Sequence, residues 1–238
     1  MDLDRKRLLI SGVEGALDVA LPVAALAQEL GAEVLLACSM QARSLAEYAG
    51  RHPSAPPDAL ELDIGRPEGR EELQAEVSTR WGRLDGAVQA SAYVPPLVDG
   101  AEPSGDEMEN AESGFLASAY SLNALARGVL PLMEKPSGSG GSIVGVALGR
   151  NPARPADDWF GGTAALEAVN RYLACQLGPR GVRVNLVAAG PPARPAAEAT
   201  PGFGSPSDAI PVARAVCFLL SEWSRAVSGE LLHVDGMP

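Results

Sequence analysis

The chain has 238 residues, of which 46% are hydrophobic and 21% are charged, and its formal net charge at pH 7 is −11. This length and balance suit one soluble α/β domain with a large buried core. The acidic charge argues against a nucleic-acid partner and against attachment to an anionic membrane, since both need clustered Lys and Arg. No apolar run approaches the ~20 residues of a membrane span and no signal peptide is apparent, so we expect a cytoplasmic protein.

Cysteine and histidine are scarce and scattered. Cys38, Cys175 and Cys217 lie in apolar segments, and His52 and His233 are the two histidines. An odd cysteine count without a spacing pattern argues against a disulfide framework, and no set of metal ligands is apparent. We therefore expect three buried, free cysteines and no metal site.

Apolar and amphipathic segments alternate along the chain. Seven short apolar segments are predicted strands: 7–11, 33–38, 59–64, 86–90, 142–148, 182–187 and 231–234. Five longer segments are predicted helices: 19–30, 68–81, 113–133, 159–177 and 208–221. We expect Asp18 to be the N-cap of the first helix, and Gly31 to end it. Segment 95–110, rich in Pro, Gly and acidic residues, is predicted to be a loop.

The alternation of near-continuous apolar strands with helices predicts a parallel sheet covered on both faces. Right-handed crossovers then favour a single doubly wound, Rossmann-type α/β domain over residues 1–238, without a second domain. In such a sheet, ligands bind at the carboxyl ends of the strands.

Seven sequence segments carry a family resemblance: 7–12, 60–64, 83–88, 118–121, 141–145, 181–191 and 228–236. Together they resemble the short-chain dehydrogenase/reductases, and among these the enoyl-acyl-carrier-protein reductases of the mycolate-pathway type. The resemblance implies the fold named above and hydride transfer from a nicotinamide cofactor. It also implies a tyrosine after the fifth strand of the sheet, which stabilises or protonates the enolate, and a lysine on the next helix, which holds the nicotinamide ribose.

The expected tyrosine–lysine pair is missing from this sequence. The chain has only two lysines, Lys6 and Lys135, and neither follows a tyrosine by three or six residues. Aligned by the resemblance, Asp157 stands at the tyrosine position, Thr163 at the lysine position, and Leu148 replaces an aromatic residue. An aspartate ionised near pH ~4 cannot donate a proton as a phenol of pKa ~10 would, unless burial raises its pKa. We therefore expect reduction by the family mechanism to be lost.

The resemblance also indicates damage to the cofactor site. Asp18 replaces a serine that binds pyrophosphate, and two unit charges ~4 Å apart repel by about 4 kcal/mol at an effective dielectric of 20. Pro192 lacks an N–H for the nicotinamide carboxamide, and Ala92 replaces a glycine. The remaining positions of this vestigial pocket are Gly12, Asp63, Ile64, Ala90 and Thr163, with Asp63-Ile64 as the adenine-side pair. We therefore expect no cofactor, with NAD(P) binding lost.

The catalytic candidates are Asp157, Asp158 and Tyr93. The two adjacent acids would serve as general acid and base if burial separated their pKa values, or one of them would cap the helix that follows. Tyr93 would offer a phenol at the cleft edge, or pack as a half-buried aromatic residue. The expected substrate-binding residues are Tyr120, Leu148, Trp159, Phe160 and Pro192.

Residues 193–207 stand where the family has its substrate lid. The segment is short and broken by Pro195, Pro201 and Pro206, so we expect an open cleft or one completed by a neighbouring subunit. The helices at 113–133 and 159–177 correspond to those through which the family associates, which implies a homodimer or homotetramer.

The leading hypothesis is a non-redox descendant of an enoyl reductase. It would act on a small apolar polyketide- or acyl-like substrate by cyclisation, isomerisation, dehydration or addition, as part of natural-product biosynthesis. Two alternatives stay open: a catalytically dead pseudoenzyme that binds a partner, and an NAD(P)H-dependent reductase whose proton donor has moved to Tyr93 or Tyr120.

Overall fold

Parallel strands form the central sheet of the computed structural model, which describes residues 2–13, 19–38, 57–91, 97–98, 102–103, 107–134, 140–148, 162–189 and 209–234. Numbered in chain order, the sheet strands are β1 (Arg7–Ser11), β2 (Glu33–Cys38), β3 (Asp58–Glu61), β4 (Gly86–Gln89), β7 (Ser142–Leu148), β8 (Arg183–Ala189) and β9 (Leu231–Val234). Their spatial order is β3-β2-β1-β4-β7-β8-β9, and a short antiparallel pair, β5 (Leu97–Val98) and β6 (Glu102–Pro103), is separate. The order reverses direction between β1 and β4, which is the doubly wound topology.

The helices of the described chain cover the two faces of this sheet. They are α1 (Ala20–Glu29), α2 (Pro67–Arg80), α3 (Glu107–Phe115), α4 (Ser121–Met133), α5 (Gly162–Leu177) and α6 (Ile210–Leu220). A π-helical turn, Leu116–Tyr120, joins α3 directly to α4. None of the helices described is long and apolar enough to cross a lipid bilayer.

Alternate side chains of each strand enter two separate cores. In β1, Leu8 and Ile10 join the core under α1 and α6, whereas Leu9 joins the core under α2, α4 and α5. All three side chains are fully buried. Successive side chains of a strand point to opposite faces of the sheet, and helices cover both faces. Most positions of the inner strands are therefore buried, which explains why these strands are continuous apolar runs in the sequence.

The structure confirms the predicted fold class, and it corrects several local predictions. The segment predicted as a loop, 95–110, contains β5, β6 and the start of α3 at Glu107. The Pro, Gly and acidic residues of this segment predicted a loop, although they are compatible with a short strand pair and with a helix whose first turns are polar. The N-cap of α1 is Val19 rather than Asp18, and it has no side-chain cap hydrogen bond. Segment 193–207, the shortened lid, lies outside the described residues.

The three cysteines differ in exposure. Cys38 and Cys217 are buried and form no disulfide, as expected, but Cys175 is exposed on α5, so the prediction that all three are buried is wrong. The helix presents Cys175 to solvent because its inward positions are taken by Leu173 and Leu177. Burial raises the pKa of the Cys217 thiol to about 12, which keeps it protonated and unreactive at neutral pH.

Arg183 holds the end of α6 against the sheet. Its guanidinium donates to the carbonyl oxygens of Leu219 at 2.9 Å and Ser221 at 3.3 Å. It also donates to Ser224 Oγ at 3.1 Å and to the Val227 carbonyl at 3.3 Å. Burial lowers the pKa of Arg183, which is the expected effect of desolvating a cation, but a guanidinium remains charged at neutral pH.

We expect Arg183→Met to lower the free energy of unfolding by about 3 kcal/mol, because it removes the donor shared by several partly buried carbonyl groups. The measurement is the urea midpoint from circular dichroism. Arg225→Met is the matched control, since Arg225 is exposed and lies in the segment after α6 that Arg183 contacts. Equal midpoints for the two variants would show that the Arg183 contacts do not stabilise the fold.

Candidate functional site

The carboxyl ends of β1 and β4 lie side by side where the strand order of the sheet reverses. We call this place the switch point. The Ala90 N–H donates to the Ser11 carbonyl at 2.9 Å, and Ala90 is 1% exposed. Gly12 follows β1 with φ of +86°, and a Cβ built on it would lie 2.2 Å from Ser91 N. Only a glycine lets the turn after β1 approach β4 this closely, so the two backbones form a cradle at the position where doubly wound sheets bind ligands.

A second part of the site is the turn between β3 and α2. The Gly65 N–H donates to Asp63 Oδ1 at 2.8 Å, and Arg66 Nε lies 3.3 Å from Asp63 Oδ2. The Asp63 side chain is still 53% exposed. Because a carboxylate has about four lone-pair sites, Asp63 can accept further hydrogen bonds from a ligand.

Two side chains fix this turn from outside it. Arg70 Nη1 donates to the Ile64 carbonyl at 3.0 Å and to the Gly65 carbonyl at 2.9 Å. The Tyr120 hydroxyl donates to the same Gly65 carbonyl at 2.9 Å. The Asp63–Gly65 turn is therefore held by the helix that follows it and by the distant π-helical turn.

The π-helical turn is in turn anchored to the end of β4. Its i→i+5 register joins the Ser121 N–H to the Leu116 carbonyl. The neighbouring Ala117 carbonyl accepts hydrogen bonds from Gln89 Nε2 and Ser91 Oγ, both at 3.1 Å. Gln89 is fully buried, and its Nε2 also donates to the Ser91 carbonyl at 2.5 Å. Sequence reasoning missed this network, although a glutamine inside the apolar strand β4 was a signal for it.

The structure brings part of the predicted site to one edge of the sheet. The residues at or just after the carboxyl ends of strands are Gly12, Asp63, Ile64, Ala90 and Leu148. Thr163 is half-buried in the first turn of α5, and Tyr120 ends the π-helical turn. The other predicted site residues lie outside the described part of the chain: Asp18, Ala92, Tyr93, Asp157, Asp158, Trp159, Phe160 and Pro192. Within the residues described, no His, Cys, Asp or Glu cluster could hold a metal ion.

The described residues fit the adenosine half of a dinucleotide. The Gly12–Ser91 cradle brings two backbones to the switch point without side chains between them, and Asp63 presents an exposed acceptor beside the half-buried Ile64. A carboxylate is suited to an exocyclic amino group, since it accepts and cannot donate when ionised. The fold defines a Rossmann-type class of domain, in which ligands bind at the carboxyl ends of the strands where the strand order reverses.

The chain belongs to the enoyl-(acyl carrier protein) reductase family, whose model matches residues 15–236. A relative from Mycolicibacterium smegmatis is 34% identical over 98% of this chain and 96% of its own. Relatives from Mycobacterium avium and Aquifex aeolicus are 33% and 31% identical over 98% of this chain, and over 96% and 91% of their own lengths. All three are named enoyl-[acyl-carrier-protein] reductase [NADH].

These relatives contradict two predictions. The expectation of a non-redox enzyme for cyclisation, isomerisation, dehydration or addition is wrong, because the full-length relatives are reductases by name. The expectation that no cofactor is bound is wrong for the same reason, since their names specify NADH. The prediction that NAD(P) binding is lost rested mainly on the residues Asp18, Ala92, Thr163 and Pro192. It gave too little weight to the backbone cradle formed by Gly12 and Ser91, and to Asp63, whose carboxylate contacts Gly65 and Arg66.

We expect Gly12→Ala to lower the free energy of unfolding by roughly 3 kcal/mol, since a Cβ at positive φ is strained and would overlap the β4 backbone. Gly178→Ala is the control, because a Cβ there meets nothing within 4 Å. The measurement is the urea midpoint of both variants. A Gly12→Ala protein as stable as the Gly178→Ala protein would contradict the close approach at the switch point.

Proposed function

We propose that this protein is an NADH-dependent reductase of the carbon–carbon double bond in an enoyl thioester carried on acyl carrier protein. The observation that carries the proposal is the relationship, over 98% of the chain, to reductases whose names specify this cofactor and substrate. The exposed Asp63 carboxylate and the Gly12 cradle support it, because they suit the adenosine end of a dinucleotide at the switch point.

The division of labour in this reaction follows from the chemistry of the cofactor. When bound, NADH supplies the hydride that adds to the β carbon of the enoyl thioester. Asp63 would accept a hydrogen bond from the adenine amino group, and Ile64 would offer an apolar surface to the ring. The chain must also support the negative charge that develops on the thioester oxygen, and allow a proton to reach the α carbon.

We assign the proton transfer to the acidic pair Asp157 and Asp158, with Tyr93 as the other candidate. The sequence provides no tyrosine with a lysine three or six residues after it, and the carboxyl group of Asp157 aligns with the family's tyrosine position. It must be protonated to donate, which requires burial among apolar groups to raise its pKa. Leu148, Trp159, Phe160 and Pro192 are proposed to supply that apolar surface and to contact the substrate.

Enoyl thioester turnover tests the proposal directly. We expect the purified protein to oxidise NADH when an enoyl thioester is added, with formation of the saturated thioester in equal amount. NADH consumption followed by absorbance, with the product identified by mass spectrometry, checks both halves of the reaction. NADH binding without any thioester reduction would overturn the proposed activity.

Replacing Asp157 and Asp158 one at a time by asparagine tests which of the two carboxyl groups donates the proton. We expect the turnover number to fall about 100-fold in at least one of Asp157→Asn and Asp158→Asn, the usual contribution of a general acid. Glu29→Gln is the control, because it makes the same change on an exposed carboxylate at the end of α1. Full turnover in both Asn variants would leave Tyr93 or water as the proton source.

We propose further that the protein associates as a homodimer or homotetramer through the face formed by the end of α3, the π-helical turn, α4 and α5. The large side chains Phe115, Leu116 and Tyr172 on this face are 49%, 46% and 61% exposed. Between the helices lies a groove of about 440 Å³, lined in part by Ala126, Leu130, Val169 and Leu173. An apolar face of this kind on a surface helix is suited to a second copy of the same face.

We expect Tyr172→Asp to shift the protein towards the monomer, because a carboxylate would be desolvated in a helix-to-helix interface. Light scattering after size exclusion measures the mass. Trp223→Asp is the control, since Trp223 is 73% exposed on another segment. An unchanged oligomeric mass in the Tyr172→Asp variant would place the interface elsewhere.

A further inference from the structure

We infer that Tyr120 is a positioning residue for the cofactor: it holds the Asp63–Gly65 turn in the geometry that receives adenosine. The inference rests on the proposed function, because it needs a dinucleotide whose adenine reaches Asp63. It gives Tyr120 a task at the cofactor end of the cleft, whereas the sequence alone suggested contact with the substrate.

The argument starts from the two hydrogen bonds made by Gly65. Its N–H donates to Asp63 Oδ1 at 2.8 Å, and its carbonyl accepts the Tyr120 hydroxyl at 2.9 Å. Gly65 therefore connects the phenol to the carboxylate that would bind adenine. The N–H and the carbonyl of Gly65 belong to different peptide planes, so Tyr120 acts on Asp63 by restricting the φ and ψ of Gly65, a residue that has no side chain to restrict them.

The other contacts that hold the turn are local in sequence, and within it the Arg66 N–H donates to the Asp63 carbonyl at 3.1 Å. Arg70 is the other donor to the Gly65 carbonyl, and it approaches from the helix that directly follows the turn. Asp63 and Arg66 are both more than half exposed, so their ion pair contributes little. Tyr120 is the contact from a distant element, and its ring also lies near Gly65: a Cβ built there would be 3.8 Å from Tyr120 Cε1.

The position of Tyr120 is itself fixed by the π-helical turn. Three residues before Tyr120, the Ala117 carbonyl accepts hydrogen bonds from Gln89 and Ser91 at the end of β4. Ser91 Oγ also lies 3.2 Å from Ser121 Oγ, immediately after Tyr120. The π-helical turn thus joins the switch point, where Ser91 faces Gly12, to the turn that carries Asp63. Single π-helical turns within helices are frequently found at functional sites.

The test uses the full chain and ADP-ribose, which contains the adenosine half and lacks nicotinamide. In Tyr120→Phe, we expect isothermal titration calorimetry to show about fivefold weaker ADP-ribose binding, the size of one neutral hydrogen bond. The KM for NADH should rise by a similar factor, with kcat at saturating NADH unchanged. Tyr172→Phe is the matched control, because it removes a hydroxyl from the same helical face without touching Gly65.

A second variant disturbs the Asp63–Gly65 turn directly rather than through Tyr120. Gly65→Ala would place a Cβ 2.9 Å from Asp63 Oδ1, so we expect it to weaken ADP-ribose binding as well, while Gly178→Ala should not. Thermal unfolding of each variant confirms that the fold is intact. Equal ADP-ribose affinity in wild type and Tyr120→Phe would overturn the inference and leave the proposed function standing. Failure of the wild type to bind ADP-ribose or NADH would instead overturn the proposed function.

Discussion

The turn after β1 touches the backbone at the end of β4, and the rest of the site is arranged around that contact. It exists because Gly12 has no side chain and adopts a positive φ. On one side, β1 pairs with β2, and β2 with β3, which leads to Asp63. On the other side, β4 pairs with β7, whose last residue is Leu148. The two halves of the cleft therefore have fixed positions relative to one backbone contact.

A second set of interactions connects the same two halves above the sheet. Gln89 is buried at the end of β4, and its amide orientation follows from its partners, because the carbonyls of Ser91 and Ala117 can only accept. The Gln89 Oε1 atom has no hydrogen-bond partner among the residues described. Leaving a buried acceptor unpaired carries a free-energy cost of about 1–3 kcal/mol, which the fold tolerates here. The strand end and the π-helical turn are thus joined by a polar contact inside an otherwise apolar layer.

Much of the fold could be predicted from the sequence because the signals were local. Apolar runs such as Leu8–Ile10 have the length and composition of buried strands, and the alternation with helices dictates a parallel sheet. The π-helical turn could not be predicted in this way, because it depends on side chains from β4 that are distant in sequence. The same holds for the partner of Tyr120: nothing in the run Ser118–Ser121 indicates that its phenol reaches a turn 55 residues earlier.

The error about the cofactor has a physical cause that applies to other enzymes with altered sites. Affinity for a dinucleotide is distributed over many contacts, and a large share of them come from backbone groups at the ends of strands and helices. Proton donation, in contrast, depends on a single side chain with a suitable pKa. Replacing the tyrosine position by Asp157 bears on the second property, whereas replacing the lysine position by Thr163 removes one of the many contacts that contribute to the first. A missing proton donor in a sequence therefore indicates a changed proton step and carries no information about the backbone contacts around Gly12, which are retained here.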